Sequence, residues 1–211
     1  MVGIHDLPLF VLSGLLLNIM PGPDSLLIMT RSATQGWRAG SAAALGIGAG
    51  TFVHILAAAL GLSAVLATSA TAFMAVKLLG AAYIIYMAVG LLRSKRSGES
   101  AAAPALPRLP YRNIFAQGFL TNVLNPKVAV FFLAFVPQFI AADAPHKALA
   151  FIVLGCIFNF NGMLWCHSLA LFTAQVRSRI KLHPAALLWL NRATGGLFVW
   201  LGVRLALARQ H

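Results

Sequence analysis

One stretch of the chain places an acid, two prolines, a glycine and an amide inside apolar surroundings: Asn18-Ile19-Met20-Pro21-Gly22-Pro23-Asp24. Each proline removes a backbone donor and its ring collides with a carbonyl one turn earlier. Gly22 between them loosens the backbone, so a helix entering this stretch must break or bend sharply. The carboxylate at the break, Asp24, is suited to hold an ammonium group or to exchange a proton. Only four acids occur in the whole chain, and Asp6, Glu99 and Asp143 fall near an end or in loops. An acid carried into a membrane helix costs about 2.5–3.5 kcal/mol at its centre, which makes it a functional candidate by default. The same carboxylate would also suit the cap of the half-helix that follows the break.

A second break lies 103 residues further on, where Asn125-Pro126-Lys127 carries a lysine at the position matching Asp24. Asn18 matches Asn122 at an offset of 104. A carboxylate and an ammonium facing each other across a cavity can hold an amino acid. Asp24 would take its α-ammonium, while Lys127 and the free N–H groups of a half-helix would take its carboxylate. Asp24 would then also exchange a coupling proton. Asn18 and Asn122, just before the breaks, would cap exposed backbone or touch substrate. Asn125 and Asn159, with Thr121 and Asn161, would line the same cavity or tie helices together. His54, in the middle of an apolar stretch, is a candidate proton relay and equally a packed, hydrogen-bonded side chain. Cys156, Cys166 and His167 share one stretch without a neighbouring acid, which suits neither a disulfide framework nor a metal site. No metal or cofactor is expected. A hydrolase would need a nucleophile spaced to join Asp24 and His54, and there is none. The run Gly46-Ile47-Gly48-Ala49-Gly50 follows no strand and reads as close helix packing rather than a phosphate loop.

These residues must be carried by membrane helices. Of 211 residues, 60% are hydrophobic and 9% charged, and the mean hydropathy is +0.84. A soluble domain carries roughly a quarter charged residues, so a soluble fold is excluded. Six apolar spans are expected, at about 7–30, 40–66, 73–93, 113–140, 148–174 and 184–206, with a tight turn at Thr68-Ser69-Ala70-Thr71. Residues 1–8 hold no Lys or Arg, so the first apolar run does not read as a cleaved signal peptide. The Ser-, Ala- and Pro-rich segment 94–112 is a linker that divides the chain into a first three-helix unit, 1–93, and a second, 113–211. Gly50 matches Gly155 at an offset of 105, and Lys77 matches Arg192 at 115, continuing the ordered correspondence between the halves. Three spans per half is an odd number, so the second unit enters the membrane from the opposite face. This is the inverted repeat of secondary transporters. The fold class expected is therefore all-α and integral to the membrane, with helices one and four broken at PGPD and NPK.

The net charge of +12 belongs with orientation rather than with nucleic acid, because no basic stripe lies on a soluble domain. Eleven of the 16 basic residues, including Arg31 and Arg38, fall in or beside the loops after spans one, three and five. Cytoplasmic loops collect Lys and Arg, which puts the linker in the cytoplasm and both termini on the periplasmic side. Lys77 and Arg192 read as side chains snorkelling to the interface, and Tyr83, Tyr86 and the tryptophans as interfacial belts or helix packing.

Three segments, NIMPGPDSLLIMTRSATQGWRAGSAAALGIGAG, KLLGAAYIIYMAVG and GFLTNVLNPKVAVFFLAFVPQF, resemble the LysE/RhtB family of amino-acid exporters. The resemblance implies proton-driven efflux of amino acids across a bacterial inner membrane, with a lipid bilayer, protons and a small amino acid as partners. It also carries the family's broken-helix positions onto Pro21, Gly22, Pro23, Asp24, Asn125, Pro126 and Lys127. A basic cargo would call for further acids in the cavity, and only Asp24 is on offer, so a neutral cargo of the homoserine, threonine or leucine type is expected. The alternative implied by the wider superfamily is a divalent-metal exporter. A homodimer is compatible with a chain this small.

Overall fold

The structure, a computed structural model, describes residues 3–62 and 108–176, together with scattered helical positions between 71 and 93 and between 192 and 203. Most of the expected spans three and six, residues 68–70 of the expected turn, most of the linker, Lys77 and Tyr83 lie outside the described residues, and Thr71 is helical. Those described are helical, apart from connecting turns and one isolated bridge between Ile4 and Ile140. In chain order they form α1 (Leu7–Ile19), α2 (Pro23–Gln35), α3 (Trp37–Ala57), α4 (Tyr111–Val123), α5 (Pro126–Val130) and α6 (Lys147–Val176). A π-helical turn, Ala58–Leu62, continues α3, and a π turn, Phe131–Phe135, then a 3-10 turn, Val136–Phe139, continue α5.

Two helices, Trp37–Gly61 and Lys147–Val176, are long and apolar enough to cross a membrane unaided, each with a mean hydropathy of 1.8. Two further pairs qualify together but are bent, by 53° between Leu7–Ile19 and Pro23–Gln35 and by 46° between Tyr111–Val123 and Pro126–Phe139. Both bends fall at the expected motifs. This is a multi-pass membrane protein, with apolar side chains such as Leu45, Phe52, Val53 and Leu56 exposed along α3. The first span reaches Gln35 rather than residue 30, and the second begins at Trp37 rather than residue 40. Gly36 explains both shifts. It adopts φ +88°, where a side chain would be strained, and ends α2 and starts α3 as a one-residue turn.

The tightest packing joins α3 to α4. A Cβ added at Gly46 would meet the carbonyl oxygen of Phe115, and one added at Gly118 would meet that of Ala43. The glycine run therefore lets two backbones touch, as small residues do in membranes where lipid gives no hydrophobic drive for association. The helix α6 packs across α1, α2 and α3. Beside the breaks, Phe10, Phe131, Phe132, Phe135, Phe139 and Phe158 form one buried aromatic cluster, with Phe131 and Phe158 centroids 4.6 Å apart. Through the turns that continue α5, this cluster packs the second break against α1 and α6.

Candidate functional site

Helical arithmetic shows what each break leaves undone. In an unbroken helix the carbonyl of residue i accepts the N–H of residue i+4. Leu17 would need the N–H of Pro21, and Asn122 that of Pro126, and neither proline has one. Side chains from elsewhere take these places. Lys127 donates from Nζ to the Leu17 and Met20 carbonyls, each at 3.2 Å. His54 Nε2 lies 3.0 Å from the Asn122 carbonyl, which also accepts the Asn125 N–H at 2.9 Å. A carbonyl only accepts, so His54 carries hydrogen on Nε2. The lysine of the second break thus closes the end of the first, placing a cation where the dipole of α1 is negative. It lies against Gly22, where an added Cβ would stand 3.3 Å from Nζ.

Asp24 makes the reverse crossing. It is the second residue of α2, with Gly22 at the cap position and no side-chain cap bond there. Its carboxylate reaches the second break, where Oδ2 accepts Asn122 Nδ2 at 2.9 Å and Asn125 Nδ2 at 3.1 Å. Asn125 Oδ1 caps α5 by accepting the Lys127 backbone N–H at 3.0 Å. The acceptor-only carboxylate fixes the direction of the Asn122 amide, and its Oδ1 lies 3.3 Å from Thr51 Oγ1, a hydroxyl that also lies 3.1 Å from the Ile47 carbonyl. The other carboxylate oxygen, Asp24 Oδ1, is buried and receives no hydrogen bond from the described residues. Asp24 and Lys127 are about nine-tenths buried, and their charges are held by separate sets of partners rather than by each other.

A cavity of about 30 Å³ joins these groups. That is room for about two waters. Its polar lining includes Asn18, Asp24, Thr51, Asn122, Lys127 and Asn159, facing apolar walls that include Leu17, Ile47, Val128, Phe158 and Met163. Asn18 Nδ2 is buried without a partner, and Asn159 Nδ2 donates to the Gly48 carbonyl at 3.3 Å. The structure therefore gathers five of the expected site residues, Asn18, Asp24, Asn122, Lys127 and Asn159. Asn125 stands behind Asp24, and His54 behind Asn122, its ring stacked on Phe132. Thr121 and Asn161 are half-buried and off the lining. Pro21, Pro23 and Pro126 act through the backbone donors they lack. His167 Nδ1 pairs with the Met163 carbonyl at 2.9 Å, and no metal-holding group of three or more His, Cys, Asp or Glu occurs among the described residues.

Sequence reasoning missed Thr51, one turn before His54, and Cys166, which also lines the cavity. It misplaced Arg31. Because α2 runs on to Gln35, Arg31 is not a loop residue but is 4% exposed inside the bundle. Its Nη2 donates to Gln117 Oε1 at 2.9 Å. Gln35 next to it clasps both backbone groups of Leu109, each at 3.0 Å, and so ties the end of the linker to α2. The sequence signal was present: Arg31 lies seven residues after Asp24, on the same helical face.

A paired helix break around a buried acid and a buried amine is a transporter's arrangement, and the relatives agree. The family model of the LysE type translocator matches residues 15–209. The chain belongs to the LysE-type translocator family. Its members are transporters, not enzymes. This translocator is 34% identical to an uncharacterized membrane protein of Pseudomonas aeruginosa, covering 98% of this chain and 97% of that one. It is 30% identical to a homoserine/homoserine lactone efflux protein of Salmonella typhi, over 95% of both chains. An uncharacterized membrane protein of Bacillus subtilis is 28% identical, over 97% of this chain and all of its own. No solved structure matches.

Proposed function

We propose that this translocator exports neutral amino acids of the homoserine type across the bacterial cytoplasmic membrane in exchange for protons. One observation carries the reading: a buried carboxylate and a buried amine line one small cavity between two helix breaks, each hydrogen-bonded to its own set of partners. A zwitterion offers the complement of both. Its α-ammonium goes to Asp24, and its carboxylate goes to Lys127 and to the open Asn18 amide. The side chain then lies along the wall of Leu17, Ile47, Val128 and Met163. A basic side chain would bring a second cation to a lining whose described residues include one acid. The homoserine efflux relative supports the same class of cargo.

The cavity is far smaller than an amino acid, so loading requires the helices around the breaks to part. Lys127 bridges the two breaks and is the natural point at which a substrate carboxylate loosens them, by competing with the Leu17 and Met20 carbonyls. We place 1–93 and 113–211 as oppositely inserted units, with the 94–112 linker cytoplasmic and both termini periplasmic. The proton gradient suffices for the work. One charge crossing 100 mV releases about 2.3 kcal/mol, enough for a concentration ratio of roughly 40 if coupling is tight. Efflux of radiolabelled homoserine, threonine, leucine, lysine and a panel of divalent metals from proteoliposomes tests the reading. Neutral amino acids are expected to move against their gradient when a proton gradient is imposed. Movement of lysine or a metal alone would overturn it.

A further inference from the structure

The two oxygens of Asp24 have unequal surroundings. Oδ2 accepts two N–H groups, from Asn122 and Asn125, while Oδ1 accepts none. Both amides are held in that sense. Asn125 Oδ1 caps α5, so turning that amide over loses the cap bond as well, and turning Asn122 over would set its carbonyl oxygen against a carboxylate that can only accept. An oxygen already accepting two N–H groups has no room for a hydrogen of its own. When Asp24 is protonated, the hydrogen must sit on Oδ1. When it is ionised, Oδ1 is a buried acceptor with no donor among the described residues, an omission that costs more for a charged group than for a neutral one. A substrate ammonium can satisfy only the same atom.

We infer that a proton and the substrate's α-ammonium compete for one atom, Asp24 Oδ1, and that this exclusion couples efflux to proton entry. The inference rests on the amino-acid reading above and adds its atomic switch. In loading from the cytoplasm, the Oδ1–H bond of the neutral carboxyl breaks and its electron pair stays on Oδ1. The proton leaves to the cytoplasmic side, and the incoming ammonium, its own three hydrogens intact, donates a hydrogen bond to the carboxylate so formed. Unloading reverses this outside, and a proton from that side takes the vacated oxygen. Each turn moves one zwitterion out and one proton in, with no state in which both are held. Asn122 and Asn125 are positioning residues: they occupy Oδ2 so that a single acceptor is left for two competitors. Among the described residues, the other titratable groups facing this carboxyl are Lys127 from α5 and Cys166 from α6, with His54 from α3 one residue removed, behind Asn122.

Calorimetric titration of the full chain in nanodiscs with L-homoserine, repeated in buffers of different ionisation enthalpy and across pH, reads both affinity and protons released. Competition predicts affinity falling tenfold per pH unit on the acid side, with release approaching one proton per homoserine there. N-acetyl-L-homoserine, which keeps the carboxylate and side chain but has no ammonium, is expected neither to bind nor to release a proton. Asn122→Ala takes an N–H from the carboxylate and moves the acid limb to higher pH. Asn125→Asp, which keeps the cap on α5, does the same by placing a like charge beside it, should the first variant not fold. His54→Gln, which can still donate to the Asn122 carbonyl, leaves the limb in place. Homoserine binding that is independent of pH, or a limb that moves with His54, would overturn the competition while leaving amino-acid export standing. Absence of homoserine binding at every pH, joined to absence of amino-acid efflux, would overturn both.

Discussion

Replacing Lys127 by Met removes the ammonium from two carbonyls while keeping most of the side-chain volume. A hydrogen bond from a charged donor contributes about 1.5–3 kcal/mol. Both bonds measure 3.2 Å, the long edge of the usual range, so the lower figure applies to each. The gross loss is about 3 kcal/mol for the pair, an upper bound because relief of the lysine's own desolvation offsets part of it. Leu17 cannot recover its bond, because the residue a turn ahead is Pro21. Pro21→Ala supplies the missing N–H. In the double variant the helix can run on and satisfy Leu17 internally, so the Lys127→Met loss should shrink by about 1 kcal/mol. Reversible unfolding in mixed micelles, followed by circular dichroism on all four proteins of the cycle, measures this coupling directly. Losses that add within about 0.5 kcal/mol would refute the reasoning, since independent sites behave that way. So would a Lys127→Met protein as stable as the parent.

The second break should behave in parallel: His54→Phe keeps the stacking on Phe132 but strips the Asn122 carbonyl of a donor, at a cost of about 1 kcal/mol that Pro126→Ala largely restores in the same unfolding assay. Gly118→Leu forces a side chain into the Ala43 carbonyl and should lose about 3 kcal/mol or more, seen as poor recovery of folded protein from membranes. Gly61→Ala, with open space around it, should be recovered normally. In a Cys156→Ser background, a small methanethiosulfonate reagent should label Cys166 on the cavity wall slowly, only as the helices around the breaks part, and stop transport, and saturating homoserine should slow the labelling further. Unchanged labelling in the presence of substrate would separate Cys166 from the transport path.

The breaks were legible because proline acts locally. Two prolines around Gly22, and one after Asn125, dictate where α1 and α4 must end whatever surrounds them. Which side chains would mend the breaks was not legible, because the orphaned groups are backbone carbonyls and their new partners come from distant helices. Counting four residues back from Pro21 and Pro126 does identify Leu17 and Asn122 as the carbonyls in need. Sequence alone could not say that Lys127 serves the first break or that His54 serves the second. The reading of Asp24 as a cap failed for a related reason: Gly22 takes the cap position, and the carboxylate is drawn across to two amides on the other break. Arg31 was miscounted because a single glycine in a left-handed conformation, Gly36, makes a turn too short to look like a loop. The close approach of α3 and α4 was readable in the glycine run, since nothing larger fits where one backbone meets another.

In the proposed cycle one carboxylate at the meeting of two broken helices carries substrate and proton in turn. Proteoliposomes with an internal pH dye and an imposed homoserine gradient test it most directly. The parent protein should move protons opposite to homoserine and only while homoserine flows, and Asp24→Asn should show neither flux above protein-free vesicles. Undiminished homoserine-driven proton movement through the Asp24→Asn protein would contradict the account.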